Sequence, residues 1–104
     1  MISTSATVFA QYPEVTVPRL ARRFVSRYES IRMPDNRIVL HMPSVGTVVM
    51  AEMESALRLQ YIARDASMDF AARTALEEVL RRELRRVVYT IAWEESKTVP
   101  APLR

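Results

Sequence analysis

Cysteine is absent from this sequence, and glycine occurs only once, as Gly46. Without cysteine the chain forms no disulfide and offers no thiolate to a zinc ion. Phosphate-cradling loops of the Walker or dinucleotide-binding type need several glycines at fixed offsets, so the sequence excludes nucleotide binding of that kind. A chain without disulfides suits a reducing compartment, and we expect the protein to be cytoplasmic.

Long apolar runs are also missing. No segment approaches the run of about 18 apolar residues that a membrane-spanning helix needs, and residues 1–10 lack the basic start and apolar core of a secretion signal. The sequence therefore predicts no membrane insertion, no secretion and no membrane partner. With 49% hydrophobic and 26% charged residues the composition is typical of a folded chain, and 104 residues suffice for one domain.

The periodicity of the apolar residues predicts one α+β domain over residues 1–95 and a flexible tail over residues 96–104. Apolar residues spaced by three and four predict a first helix capped by Thr16 and a longer second helix capped by Asp65 or Ser67. Alternating apolar residues predict the strands. The predicted elements are a strand at 6–10, a helix at 17–29, a loop at 30–36, strands at 37–42, 47–53 and 57–63, a helix whose apolar stripe reaches residue 87, and a last strand at 87–93.

The three central strands follow one another through short connections, which predicts antiparallel pairing in a meander. The simplest packing lays both helices on one face of the sheet, in the order β-α-β-β-β-α-β. The strand at 47–53 is apolar on both faces, so the face away from the helices also needs cover. A homodimer formed through the sheet and a ligand cleft between sheet and helices both satisfy this need, and we prefer the homodimer. The predicted interface or pocket residues are Val49, Met53, Tyr61 and Trp93.

The outer face of the first predicted helix is basic. Against a single acidic residue, Glu29, it carries four arginines, Arg19, Arg22, Arg23 and Arg27. Arginines stacked four residues apart repel one another mildly, and an acidic protein or a small anionic ligand would relieve that repulsion. The alternative is a solvated face that pairs with acids elsewhere in the fold, such as Glu94 and Glu95.

His41 is the only histidine. With no second histidine and no cysteine, a transition-metal site would need carboxylates alone to complete it. No serine lies in a glycine-flanked nucleophile elbow, and the glutamates of the second helix alternate with arginines that can pair with them. We therefore predict no catalytic residue, no metal site and no cofactor.

A pattern over residues 7–93 combines the element order with three short motifs: residues 23–27, which read Arg-Phe-Val-Ser-Arg, residues 83–87, which read Glu-Leu-Arg-Arg-Val, and Trp93. In this pattern the chain resembles the bacterial family known as domain of unknown function 2218, whose members occur alone and as an appendage of siderophore-interacting reductases. The resemblance implies an α+β fold and a link to iron or siderophore handling. The family carries histidine at three positions that differ here, Arg23, Ser26 and Glu83. No metal or acid–base role of those histidines therefore transfers to this chain.

Three functions are open at this point. The first is a non-enzymatic binding or interaction domain, a homodimer whose contacts use the apolar sheet face or the arginines of the first helix. The second is a small enzyme or an accessory to redox iron chemistry, which requires a pocket where His41 or a carboxylate converges with Tyr61 or Trp93. The third is weak nucleic-acid binding, for which the sequence has neither a Gly-x-x-Gly clamp nor an aromatic RNA-recognition motif, so nucleic acid is not the partner we expect.

Overall fold

The computed structural model describes residues 1–96, which form one antiparallel sheet and two helices. The elements in chain order are β1 (Ile2–Ala10), α1 (Pro13–Arg27), β2 (Glu29–Arg32), β3 (Ile38–Met42), β4 (Gly46–Glu52), β5 (Ala56–Ala63), α2 (Ala66–Glu83) and β6 (Tyr89–Ser96). The predicted α+β class and element order are confirmed, with β2 as one additional strand. Neither helix of residues 1–96 has the length and hydropathy needed to cross a bilayer.

The strands lie in the spatial order β2-β3-β4-β5-β1-β6, and every neighbouring pair is antiparallel. The predicted meander is therefore present and begins one strand earlier, at β2. β1 enters the sheet between β5 and β6 and hydrogen-bonds to both. The first strand of the chain is thus an interior strand, and its side chains are flanked by neighbours on both sides.

Both helices pack on the same face of the sheet and close one hydrophobic core. α1 contributes Val17, Leu20 and Phe24, and α2 contributes Leu76 and Leu80. Full burial of a side chain of this size stabilises the fold by about 1.5–3 kcal/mol relative to exposure, which is what holds each helix to the sheet. The strand residues beneath them are Ala6, Val8, Ile38, Leu40, Met42, Val48, Met50, Leu57, Leu59, Tyr61 and Ala63.

The start of α1 differs from the prediction. The helix begins at Pro13, and the residue before it, Tyr12, has left-handed backbone angles (φ 54°) and provides no side-chain cap. Thr16, the predicted cap, lies inside the helix, where its hydroxyl donates a 2.8 Å hydrogen bond to the carbonyl oxygen of Gln11. The fixed φ of proline suits the first helical turn, so Pro13 starts the helix without a capping side chain.

The predicted start of α2 is confirmed, because the carboxylate of Asp65 accepts a 2.9 Å hydrogen bond from the backbone N–H of Met68. The end differs from the prediction: α2 stops at Glu83, and the last strand runs over Tyr89–Ser96. Ser96 therefore belongs to β6 and not to the predicted tail. The rest of that tail, residues 97–104, lies outside the described residues.

Candidate functional site

The arginines of α1 find their acidic partner in α2. Both carboxylate oxygens of Glu83 are used: Oε2 lies 2.6 Å from Nε of Arg23, and Oε1 lies 2.9 Å from Nε of Arg27. The side chain of Glu83 is only 6% exposed, whereas both arginines are about half exposed. Of the two acids suggested from the sequence, Glu95 instead pairs with Arg73. The two ion pairs of Glu83 therefore relieve part of the repulsion among the arginines of α1.

Two arginines of α1 do not pair with Glu83. Arg19 and Arg22 are exposed and form no ion pair with any residue in the described part of the chain. Arg19 and Arg23 border a narrow crevice of about 50 Å³ between α1 and the end of α2. Its remaining lining residues are Thr16, Leu20, Glu83, Leu84 and Val87.

A second polar cluster lies under the first turn of α2. One carboxylate oxygen of Asp69 accepts hydrogen bonds from the hydroxyl groups of Thr4 (2.7 Å) and Tyr61 (2.9 Å). The other oxygen accepts a 3.0 Å hydrogen bond from Nε of Arg73. The same guanidinium pairs with Glu95 and lies 5.0 Å from the centre of the Trp93 ring, within the range of a cation–π contact. The cluster therefore ties α2 to β1, β5 and β6.

The ionisation states in this cluster follow from its contacts. Burial alone raises the pKa of Asp69, but the hydrogen bonds from Thr4 and Tyr61 and the guanidinium of Arg73 outweigh it, so the pKa lies below its usual range. Burial, together with the neighbouring Asp69 carboxylate, raises the pKa of Tyr61 well above its usual range. At neutral pH, Asp69 is therefore an ionised acceptor and Tyr61 a protonated donor.

This cluster meets one requirement of the enzyme hypothesis and fails another. A carboxylate does converge with Tyr61, but Asp69 is 5% exposed and Tyr61 is fully buried. Asp69 accepts hydrogen bonds from Thr4, Tyr61 and Arg73, and no buried side-chain nitrogen or oxygen of residues 1–96 lacks a partner. The arrangement has the properties of a structural network, because both oxygens of a nearly buried carboxylate are hydrogen-bonded to neighbouring side chains.

Acid is expected to destabilise the protein through Asp69. The pKa of this group is depressed by folding, so its contribution to stability is complete above the unfolded-state pKa of about 3.9 and is lost as the pH falls through the folded-state pKa. We expect the free energy of unfolding to decrease between about pH 5 and pH 2, measured by urea denaturation at each pH. An Asp69→Asn variant should lose less over this interval. Identical pH profiles for the two proteins would contradict the assignment.

The face of the sheet opposite the helices has its own apolar row. The strand registers align Ile31 with Val39 and Val39 with Val49, so three β-branched side chains lie side by side across β2, β3 and β4. Val49 is buried between its neighbours, Val39 is half-buried and Ile31 is 68% exposed. No helix among residues 1–96 covers this row.

His41 lies near this row, on the same face, and is exposed. It is in register with Glu29 on one side and Thr47 on the other. With Ile31 and Val39, these residues border an open cleft of about 220 Å³. No group of three or more metal-ligating side chains occurs within residues 1–96. His41 is far in the sheet order from Trp93 on β6, so the pocket that the enzyme hypothesis requires is not formed by these two residues.

The four residues predicted as one interface or pocket do not share a surface. Tyr61 belongs to the core and Trp93 packs against it from the helix-covered face of β6. Val49 lies on the opposite face, and Met53 follows β4 with about half of its surface exposed. Of the four, only Met53 is exposed, while Val49 is buried at the inner end of the apolar row on the opposite face.

Sequence reasoning missed Thr4, Asp69 and Arg73. Asp69 lies three residues before Ala72 and seven before Leu76, on the buried stripe of α2, so its position was a signal that a carboxylate would be buried. Thr4 was missed because the polar start of β1 shows no apolar alternation. Arg73 is four residues after Asp69, the spacing at which helical side chains meet.

The fold and these surfaces define a small α+β domain with one helix-covered and one helix-free sheet face. Comparison with family models, curated proteins and solved structures found no match to this chain.

Proposed function

We propose that this chain is a non-enzymatic interaction domain that forms a homodimer through the helix-free face of its sheet. The observation that carries the proposal is the row of Ile31, Val39 and Val49, which no helix of residues 1–96 covers. Exposure rises along the row from buried Val49 to Ile31, which is 68% exposed at the edge of the sheet. Exposed apolar patches rimmed by polar residues are typical of interaction sites. Here the rim includes His41, Thr47 and Arg58.

The charges of the helix-free face favour a second copy of the chain as its partner. A two-fold contact brings a surface against itself, so that surface must carry both signs of charge or neither. The helix-free face carries Glu29 and Glu94 together with Arg58, according to the strand registers. Two sheets can pack face to face about 10 Å apart with their side chains interdigitated. This face is therefore suited to self-association.

The edge position of β2 supports the same proposal. All four residues of this short strand are exposed, and it pairs with β3 alone. An isolated, exposed edge carrying an isoleucine is an aggregation liability that folded proteins normally cover or charge. Association through the adjacent face would bury Ile31.

The test is the mass of the protein in solution, measured by light scattering on a sizing column at low and at high salt. We expect a salt-resistant dimer of the 12.0 kDa chain, because burial of apolar surface does not weaken with ionic strength as ion pairs do. A monomer at every concentration and salt would overturn the proposal.

An Ile31→Glu variant should dissociate the dimer, raising its dissociation constant by at least about tenfold, since a buried unpaired charge costs more than about 1.4 kcal/mol. The matched control is Val88→Glu, because Val88 is also β-branched and 71% exposed but lies outside the sheet, between α2 and β6. The control should remain dimeric. Equal effects of the two substitutions would place the interface elsewhere.

The enzyme and nucleic-acid functions have weaker support than dimerisation. The cluster around Asp69 is closed by its own hydrogen bonds, and the helix-free face carries acidic as well as basic residues. A cytoplasmic location and the link to siderophore handling that the family resemblance implies stay predictions, since no match tests them.

A further inference from the structure

The helix layer presents a second surface, independent of the helix-free face. We call it the basic surface. It consists of seven exposed arginines, four on α1, one at the end of α2 and two in the turn that follows: Arg19, Arg22, Arg23, Arg27, Arg82, Arg85 and Arg86. Contacts between the two segments bring them together, because Glu83 joins Arg23 and Arg27 to the end of α2. Arg82 borders the same open cleft as Tyr28, the residue that ends α1.

The two segments that form this surface carry more positive charge than the whole chain. Residues 19–27 and 82–88 contain seven arginines and one acidic residue, a formal charge of +6, whereas the whole chain carries +3. The remainder of the chain is therefore negative, at −3. The one acidic residue in these segments is Glu83. Its side chain is nearly buried, and each of its two carboxylate oxygens forms an ion pair with one arginine. The other five arginines have no acidic residue within these two segments.

The crevice beside Arg19 and Arg23 combines apolar and polar lining residues. Its apolar lining comes from Leu20, Leu84 and Val87. Its polar lining comes from Thr16, Arg19, Arg23 and Glu83, whose carboxylate is neutralised by its ion pairs with Arg23 and Arg27. A volume of about 50 Å³ is on the scale of one small aliphatic side chain. Ligand sites combine an apolar lining with a few polar groups that set orientation, and this crevice has that composition on a small scale.

From this combination we propose that the basic surface binds an acidic polypeptide segment that inserts one aliphatic side chain into the crevice. Arginine pairs with carboxylates through two parallel hydrogen bonds, which suits glutamate and aspartate on either side of the anchor. Single-stranded nucleic acid fits the surface less well, because its bases require exposed aromatic platforms. The one aromatic residue in the two arginine segments, Phe24, is fully buried.

The test uses fluorescence anisotropy with a labelled peptide of glutamate and glycine residues that carries one central valine. Binding at low salt is expected, and affinity should fall as salt rises, because exposed ion pairs are screened. Replacing the central valine by serine should weaken binding at least about threefold, since about 0.8 kcal/mol is lost for each buried methylene. No binding at low salt would overturn the proposal, and so would equal binding of the valine and serine peptides.

The arginines are tested with a pair of charge-matched variants. Arg19→Gln combined with Arg22→Gln removes two basic-surface charges that have no ion pair in the described chain, and should raise the dissociation constant at least about threefold. Arg32→Gln combined with Arg64→Gln removes the same charge elsewhere and should leave it within about twofold. If both double variants lost the same affinity for the peptide, the effect would come from net charge alone and the proposal would be wrong.

Two further measurements separate this proposal from its alternatives. A labelled oligothymidylate that binds more tightly than the valine peptide, with the same loss in the Arg19 and Arg22 variant, would assign the surface to nucleic acid instead. The Ile31→Glu variant should bind the valine peptide with unchanged affinity, because its substitution lies on the helix-free face. Loss of peptide binding in that variant would contradict an independent basic surface.

Discussion

Replacement of Asp69 by alanine is expected to lower the free energy of unfolding by about 2–4 kcal/mol. The substitution removes a carboxylate that accepts three hydrogen bonds. It leaves the hydroxyl of Thr4 without its partner and leaves Tyr61 only the longer, 3.4 Å hydrogen bond to the backbone carbonyl oxygen of residue 69. An unsatisfied buried hydroxyl costs about 1–3 kcal/mol. Arg73 is partly exposed and keeps Glu95, so it contributes less to the loss. Urea denaturation followed by circular dichroism measures the change.

Asp65→Ala is the matched control for Asp69→Ala, since both residues lie at the start of α2 and each accepts hydrogen bonds. Asp65 is exposed and caps the helix, so its removal should cost only about 1 kcal/mol. Tyr61→Phe should fall between the two, because it removes one donor and leaves Asp69 its other two. A loss for Asp69→Ala no larger than that for Asp65→Ala would show that the network contributes little.

The sequence predicts the core-forming elements well because their signal is local. Strand β5 alternates Leu57, Leu59 and Tyr61 on one side, and all three are buried as expected. Strand β2 had no such signal: its residues are exposed, and it exists because the chain returns along β3 with four residues in register. Pairing with a neighbour overrides local propensity in strands of this kind.

In the candidate sites, too, the sequence reveals local features but not long-range contacts. A local count of charges along α1 correctly identifies a basic row, but the identity of its partner depends on where α2 ends beside α1. Glu83 is sixty residues from Arg23 in the sequence, and only the packed fold brings the two within 2.6 Å. The cluster of Thr4 and Asp69 spans sixty-five residues and was missed for the same reason. Long-range polar contacts have no period that a sequence reveals.

Packing of α1 on the sheet is what holds the arginine row in place, and Phe24 is its largest fully buried anchor. Phe24→Ala is expected to lower the free energy of unfolding by about 3–5 kcal/mol, because the loss of ring burial is joined by the cost of the cavity left behind. The ring of Tyr28, with its centre 6.1 Å from that of Phe24, would lose its aromatic neighbour. Thermal or urea unfolding measures the loss.

The matched control for Phe24→Ala is Phe70→Ala, since Phe70 is also on a helix but is 73% exposed. Its removal should change the free energy of unfolding by no more than about 0.5 kcal/mol. Phe24→Leu should cost less than Phe24→Ala, because leucine refills part of the cavity. Equal losses for Phe24→Ala and Phe70→Ala would mean that α1 is not held to the sheet by Phe24. The arginines and the crevice of the basic surface would then not be held in position by the packing of Phe24.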